Sequence, residues 1–479
     1  MHAGHKPNTT FPRDRGLRFP TKRQLVNSLQ EGKPFKTGTR YNLKEYQDYA
    51  EQYRNSYFKD HDLDPQELTE AELDQKIEKE FWRIVETNPK EIIVDYANDL
   101  NSSKYGTGFE HDPENKWNLN SFHNNPRSLM KEIQCEIPGV TLPWVYLGSL
   151  FTTFCWHTED HFLYSINYMH KGHGKTWYGI PSNSARSFED AMRKFMPDRF
   201  KQSPDLIFQL LTLLSPSYCM ENGVKVNHTI QKEGEYIITF PNAYHGGFSH
   251  GLNCAEAVNF AIPEWLSFGS QAMEKYHKEV RRGGHRSDIF AHDQLIYHLG
   301  SKISRVILSK KDVIQKNQGN PNDLTRCIQS ILAEELPYDA KVFTKTLIED
   351  YIQRAKIELH LRKWLASTRI SQLHKVTYSN ATPPLCVVCK RMPYFSYVKC
   401  RDHPERITCP EHAFVQCNCR ADSKIHCIIL SDSAITGMQT FIQNISNTLQ
   451  RAVKEDKPKI ETEEANIKNT TNGHESGAQ

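Results

Sequence analysis

The 479-residue chain contains no run of about 18 apolar residues, so a membrane-spanning helix is not expected. Its first 25 residues have no apolar stretch of the kind a secretory signal needs. Neither sign of charge is in excess: 60 Lys and Arg stand against 57 Asp and Glu, a net +3. That balance gives no general pull toward nucleic acid. Cysteine is thin outside one window. Cys135, Cys155, Cys219, Cys254 and Cys327 are scattered, while seven fall between Cys386 and Cys427. Without a secretory signal, such a cluster points to metal rather than to a disulfide framework. Aromatic residues stop at Phe441, and residues 454–479, rich in Glu, Lys, Asn and Thr, are expected to be disordered. Elsewhere 23 Phe, 21 Tyr and 7 Trp supply a large core, and the length suits two to four domains of roughly 100–200 residues.

Six Lys or Arg and one Asp lie between Met1 and Arg23, with little periodicity. Residues 1–40 are expected to form a flexible basic arm, solvated or contacting DNA or histone. Leu73, Ile77, Phe81 and Ile84 share one stripe and predict a helix over 67–86. Residues 91–97 read as a strand. WVYLGSL, FTTFCWHTE, LYSINYMH and KTWYGIP, from Trp144 to Pro181, read as successive strands, followed by a helix over 184–196 capped by Ser182 or Asn183. GEYIITFP and CAEAVNFAIPEW are further strands. Many strands between 91 and 265 suggest an all-β core, a barrel or a double-sheet jelly roll. From 268 to 375 helix formers dominate, and another helix is expected near 433–453.

FCWHTEDH places His157 and Glu159 two residues apart in a strand-like run, where both side chains face one way. His245, in FPNAYHGGF, follows GEYIITFP and is expected at the end of that strand. Two imidazoles and one carboxylate form the ligand set of non-heme Fe(II) oxygenases, and leave three octahedral positions for a bidentate 2-oxo acid and dioxygen. A zinc ion could use the same ligands. Lys175 lies 18 residues after His157; inside a β-core its charge would need an acidic partner, such as a bound dicarboxylate. Ser165 and Asn167 share the parity of Glu159, which suits a polar inner face or ordinary hydrogen bonding within a barrel. Further on, Cys386 and Cys389, Cys400 and His403, Cys409 and His412, and Cys417 and Cys419 form four pairs, enough for two tetrahedral zinc ions.

The run FCWHTEDHFLYSINYMHKGHGKTWYGIP, with FPNAYHGGFSHGLNCAEAVNF downstream, resembles the JmjC domain of histone lysine demethylases. The similarity is to the ARID-containing class acting on methylated lysine 4 of histone H3. KEFWRIVETNPKEIIVDYANDL resembles the segment preceding the domain in that class, and the Cys/His pairs resemble its C5HC2-type zinc finger. The resemblance implies a mixed α+β fold: a double-stranded β-helix (jelly-roll) core, a C-terminal helical domain and a two-zinc module. Its divisions fall at 41–110 for the lead-in, 111–277 for the JmjC domain, 278–380 for the helical domain, 386–438 for the zinc finger and 439–453 for a further helical region.

It also implies roles. His157, Glu159 and His245 would bind Fe(II). Lys175 and Tyr96 would hold the distal carboxylate of 2-oxoglutarate, with Ser165, Asn167 and Phe154 around the cofactor. Tyr146, Trp177 and Ala257 would shape the substrate pocket; without the resemblance such aromatics read as core. In the interleaved zinc finger, Cys386, Cys389, Cys409 and His412 would share one ion and Cys400, His403, Cys417 and Cys419 the other, leaving His426 and Cys427 structural. Two positions depart from the family. Ser249 replaces a common Asn, and His403 stands one residue after a common Cys. The implied activity is oxidative demethylation of tri- or dimethyl-lysine in the nucleus, with the histone H3 tail and chromatin complexes as partners. A JmjN segment, normally packed on the core, an ARID and PHD fingers are not seen, so direct DNA binding is not expected. A protein hydroxylase or a non-catalytic chromatin scaffold are the competing readings.

Overall fold

The computed structural model describes residues 16–455, apart from 62, 88–90, 111, 113–114, 134, 210, 283, 285, 337–338, 375, 377–383 and 416. Expectations for residues 1–15 and for the tail beyond 455 lie outside the described residues.

Two antiparallel sheets face each other, as the alternating runs predicted. The strands are β1 (Lys22–Leu25), β2 (Lys36–Thr37), β3 (Ile93–Asn101), β4 (Trp144–Gly148), β5 (Thr153–His157), β6 (Tyr164–Gly172), β7 (Lys175–Ile180), β8 (Asn227–Gln231), β9 (Tyr236–Thr239), β10 (Tyr244–Ser249) and β11 (Asn253–Phe260). The larger sheet runs β2-β1-β3-β4-β11-β6-β9 and the smaller β5-β10-β7-β8. With the helices and the Cys/His clusters, this is the mixed α+β jelly-roll architecture expected.

The basic arm is corrected. Its residues 17–40 form an integral part of the larger sheet: β1 pairs with β3, and Phe19, Val26 and Leu29 are buried. Two basic side chains stay exposed but are paired, Lys22 with Asp99 and Arg23 with Asp95. Gln24, also buried, donates to Thr153 O at 2.7 Å and accepts from Thr153 N at 2.8 Å, tying β1 to the smaller sheet. A four-residue strand is too short to leave a periodic signal.

Helix Glu70–Thr87 buries the predicted stripe; Phe81 stacks on Phe248 of β10 at 3.9 Å. The 184–196 helix begins differently. Ser182–Ser184 form a 3-10 turn that runs straight into helix Ala185–Phe195, and neither Ser182 nor Asn183 caps it. Two core strands escaped the sequence reading. β8 is an edge strand with mostly exposed polar residues, and β10 is split from β9 by a reversal at Asn242, whose φ is +56°. His245 therefore lies near the start of its own strand, not at the end of GEYIITFP.

Helices His292–Ser309, Pro321–Glu335 and Ala340–Ala366 pack as a bundle around Leu299, Leu332 and Leu347. The helix near 433–453 is not a separate region. Asp432–Glu455 returns across this bundle and buries Ile435, Ile442 and Leu449 in the same core. Between these helices lies a small sheet of β12 (Ser371–His374), β15 (Lys424–Ile428), β13 (Ser396–Cys400) and β14 (Ile407–Thr408), in that order. β12 is a strand within the stretch read as helical; it pairs parallel to β15, a partner 50 residues away that no local pattern reveals.

Candidate metal centres

Antiparallel pairing of β5 and β10 sets His157 directly opposite His245, with ring centroids 4.2 Å apart. Glu159 lies two residues past the end of β5. Its backbone stays extended (φ −64°, ψ 156°), which keeps its carboxylate on the side of His157. The His245 and His157 Nε2 atoms stand 3.1 and 3.9 Å from Glu159 Oε1. On its other side β10 lies tight against β7, where Gly247 is required: a Cβ there would lie 1.9 Å from Thr176 O.

The imidazoles are oriented from behind. His157 Nδ1 is 2.8 Å from Cys155 O, and His245 Nδ1 is 3.1 Å from Ala243 O. A carbonyl only accepts, so each Nδ1 carries the proton and each Nε2 offers a lone pair. Asn259 Nδ2 donates to Glu159 Oε2 at 2.9 Å and to Tyr164 O at 3.2 Å. Burial, reinforced by the neighbouring His245, lowers the His157 pKa to about 4 and keeps it neutral at pH 7. Burial alone would raise the Glu159 pKa. In their protonated forms the imidazoles outweigh it, His245 by hydrogen bond and charge and His157 by charge, and with the Asn259 N–H they hold the carboxyl near 2. Two lone pairs and an ionised carboxylate oxygen thus converge on one point, an arrangement that a cation relieves. Their ligand atoms lie within 4.8 Å of one another.

Phe154 joins this cluster to Lys175. Its ring is 6.5 Å from that of His157, and Lys175 Nζ sits 5.8 Å from its centroid. Lys175 is only 2% exposed. Burial lowers its pKa to about 8, and no carboxylate pairs with it among the described residues. An ammonium desolvated without a counter-charge is costly, and an acid group of a ligand would relieve it. The chemistry of both donor sets therefore fits a metal and an anionic cosubstrate.

The remaining predicted residues divide. Asn167 Oδ1 accepts from Gln231 Nε2 at 3.1 Å, and Gln231 Oε1 accepts from Trp177 Nε1 at 3.0 Å, so one buried amide bridges the two sheets. Trp177 packs on Phe154 at 4.6 Å and stacks on His245 at 6.0 Å. Ser165 Oγ is engaged by Thr239 Oγ1 at 2.5 Å, the barrel hydrogen bond that its parity also allowed. Tyr96 and Tyr146 lie 6.4 Å apart; burial raises both hydroxyl pKa values, and Tyr146 also feels Glu159. Ala257 pairs with Asn167 and Trp144. Ser249 is the register partner of Lys175, and its buried hydroxyl has no hydrogen-bond partner among the described residues. Gln231 and Asn259 went unread, because their roles depend on which strands adjoin. Arg286, ion-paired to Asp160 beside Glu159, likewise had no sequence signal.

Eight zinc-type ligands gather into two groups: Cys386, Cys389, Cys409 and His412, and Cys400, His403, Cys417 and Cys419. Cys409 Sγ is 3.1 Å from His412 Nδ1, and Cys389 Sγ is 3.7 Å from Cys409 Sγ. His403 Nδ1 is 3.4 Å from Cys419 Sγ and 3.8 Å from Cys400 Sγ. The buried Lys424 ammonium lies 3.2 Å from Cys417 Sγ. His426 lies outside both groups, 2.9 Å from Ser396 Oγ.

A double-sheet barrel with an inward His/Glu/His cluster, followed by a Cys/His module, defines a metal-binding class. Residues 144–260 match the JmjC domain, hydroxylase, family, and residues 386–438 match the C5HC2 zinc finger. The chain is thus a JmjC-domain protein with a C5HC2 zinc finger, and its relatives are lysine-specific demethylases. It is 33% identical over 408 residues to the putative lysine-specific demethylase JMJ16 of Arabidopsis thaliana, covering 80% of this chain and 32% of that protein. It is 36% identical over 360 residues to lysine-specific demethylase JMJ17 of Arabidopsis thaliana, covering 72% and 27%. With lysine-specific demethylase 5B of Gallus gallus the identity is 39% over 308 residues, covering 61% and 19%. The chain therefore spans a third or less of the length of these relatives. No helix among the described residues is long and apolar enough to cross a membrane.

Proposed function

We propose that this protein is a nuclear Fe(II)- and 2-oxoglutarate-dependent demethylase of methylated histone lysine, with tri- or dimethylated lysine 4 of histone H3 as its substrate. The observation that carries the reading is a buried ammonium, Lys175, with no carboxylate partner among the described residues, one aromatic ring away from a three-ligand His/Glu/His cluster. A structural zinc site would need a fourth protein ligand and no neighbouring cation. The relatives' names support the substrate class.

His157, Glu159 and His245 would hold the iron, and Lys175, with Tyr96, the distal carboxylate of 2-oxoglutarate. When bound, these cofactors would let dioxygen hydroxylate an N-methyl group, one oxygen atom going to the methyl carbon and the other to the succinate formed from 2-oxoglutarate with loss of carbon dioxide. The protein's own part is placement. Cys155 O and Ala243 O aim the imidazoles, Asn259 fixes the carboxylate, and Phe154 and Trp177 wall the cosubstrate side against water. Tyr146 and Ala257 would border the methyl-lysine. The hydroxylated methyl group then leaves as formaldehyde. Two zinc ions in the Cys/His groups would stabilise the fold without taking part in the reaction, since each has four protein ligands.

The test is mass spectrometry of methylated histone H3 peptides incubated with iron, 2-oxoglutarate and ascorbate. Stepwise loss of methyl groups from lysine 4 is expected; a stable hydroxylated peptide would instead indicate a hydroxylase, and unchanged masses a scaffold. His157→Ala should abolish turnover while elemental analysis still finds two zinc ions per chain.

A further inference from the structure

Lys175 is bracketed by a single histidine. His250 directly follows β10. Its backbone N–H donates to Gly174 O at 2.9 Å, and its Nε2 lies 2.7 Å from Thr176 Oγ1. Gly174 and Thr176 are the chain neighbours of Lys175, and Ser249, preceding His250, is its register partner. His250 is itself held from outside the barrel. Its Nδ1 lies 2.6 Å from Asp74 Oδ1 on helix Glu70–Thr87, and its carbonyl accepts from Arg54 Nε at 3.1 Å on helix Leu43–Asp60. Its ring stacks on Phe248 at 5.3 Å. Lys232 pairs with Asp74 and keeps it ionised. An ionised carboxylate only accepts, so Nδ1 bears the proton, and in the neutral imidazole Nε2 accepts the hydrogen bond of the Thr176 hydroxyl.

The order Thr, His, Asp is that of a hydrolase triad, but this one has no access. Thr176, His250 and Asp74 are all buried, and the hydroxyl is spent on the imidazole. Successive strand residues face opposite sides, so Thr176 turns outward to the helices while Lys175 turns inward to Phe154. The relay therefore carries position from the outer helices to the inner cation.

We propose that His250 is a positioning residue for Lys175: through Asp74–His250–Thr176, the two helices before the barrel set where the ammonium stands, and so make the site demand a second acid group on its keto acid. The inference rests on Lys175 being the partner of the cosubstrate's distal carboxylate. It makes residues outside the 144–260 match part of cosubstrate selection.

The experiment titrates the intact chain, loaded anaerobically with Fe(II), with 2-oxoglutarate and with pyruvate, which lacks the distal carboxylate. The readout is the ratio of the two dissociation constants from the metal-to-ligand absorbance, with Fe(II) affinity measured separately. The unsubstituted chain should prefer 2-oxoglutarate about a hundredfold or more. His250→Phe keeps the stack but loses both ring nitrogens; its preference should fall by about tenfold at unchanged Fe(II) affinity. His250→Gln, with a donor and an acceptor, should recover part of it. Asp74→Asn should lower it with the imidazole intact, and these last two carry the test should His250→Phe fail to fold. An unchanged preference in the variants, or a loss that tracks Fe(II) affinity in proportion, overturns the positioning role. If the unsubstituted chain binds iron but neither keto acid, the cosubstrate reading itself falls, and the inference falls with it.

Discussion

At the scale of single residues, the clearest physical tension is the Lys175 ammonium. Its pKa falls from 10.5 to about 8 because burial removes its hydration, the nearby Cys254 thiol offsets this only in part, and no carboxylate among the described residues pairs with it. A cation whose folded pKa is depressed costs stability in full below about pH 8. That cost fades as pH rises from about 8 toward 10.5, where the unfolded chain also loses the proton. The shift corresponds to roughly 3 kcal/mol. Lys175→Met should therefore melt higher than the parent at pH 7 without ligands, and the gap should close toward pH 10. With Mn(II) already bound to both, added 2-oxoglutarate should stabilise the parent further and the variant little. Calorimetric scans at both pH values check this, and equal melting at pH 7 would show that the ammonium is already compensated. The sequence revealed His157, Glu159, His245 and Lys175 because each stands in a short local motif. Gln231, Asn259 and the free hydroxyl of Ser249 were not legible, since each acts across strands whose adjacency is a tertiary fact.

At the scale of elements, the two Cys/His groups differ in exposure. Cys386, Cys389 and Cys409 are buried, whereas in the second group only Cys400 is. Chelators reach exposed thiolates first, so zinc release to a colorimetric chelator should be biphasic, with the faster half from the second group. Cys417→Ser should remove the fast phase, and loss of the slow phase instead would reverse the assignment. Lys424 beside Cys417 favours the thiolate that a metal would need. The pair spacing was plain in the sequence. The return of helix Asp432–Glu455 into the bundle was not: an amphipathic stripe shows that a helix has a partner, never which one.

At the scale of the whole molecule, the N-terminal segment completes the barrel. Gln24 links the two sheets through both hydrogen bonds to Thr153, and residues 17–40 pack on the core. Gln24→Leu would leave a buried N–H and C=O unmet, at roughly 2–4 kcal/mol. A melting temperature several degrees lower is expected in thermal unfolding, and an unchanged one would mean that β1 does not brace the sheets. Alternation of apolar and polar residues, short ligand motifs and paired Cys/His spacings are local properties, so the amino-acid sequence alone determined the β-core, the metal-type clusters and the helical region after it. Strand register, the burial of Lys175, the bracket around it and the place of the first and last elements are set by contacts between residues far apart in the chain. They exist only once the two sheets close and the helices cover them, and only the tertiary structure could decide them.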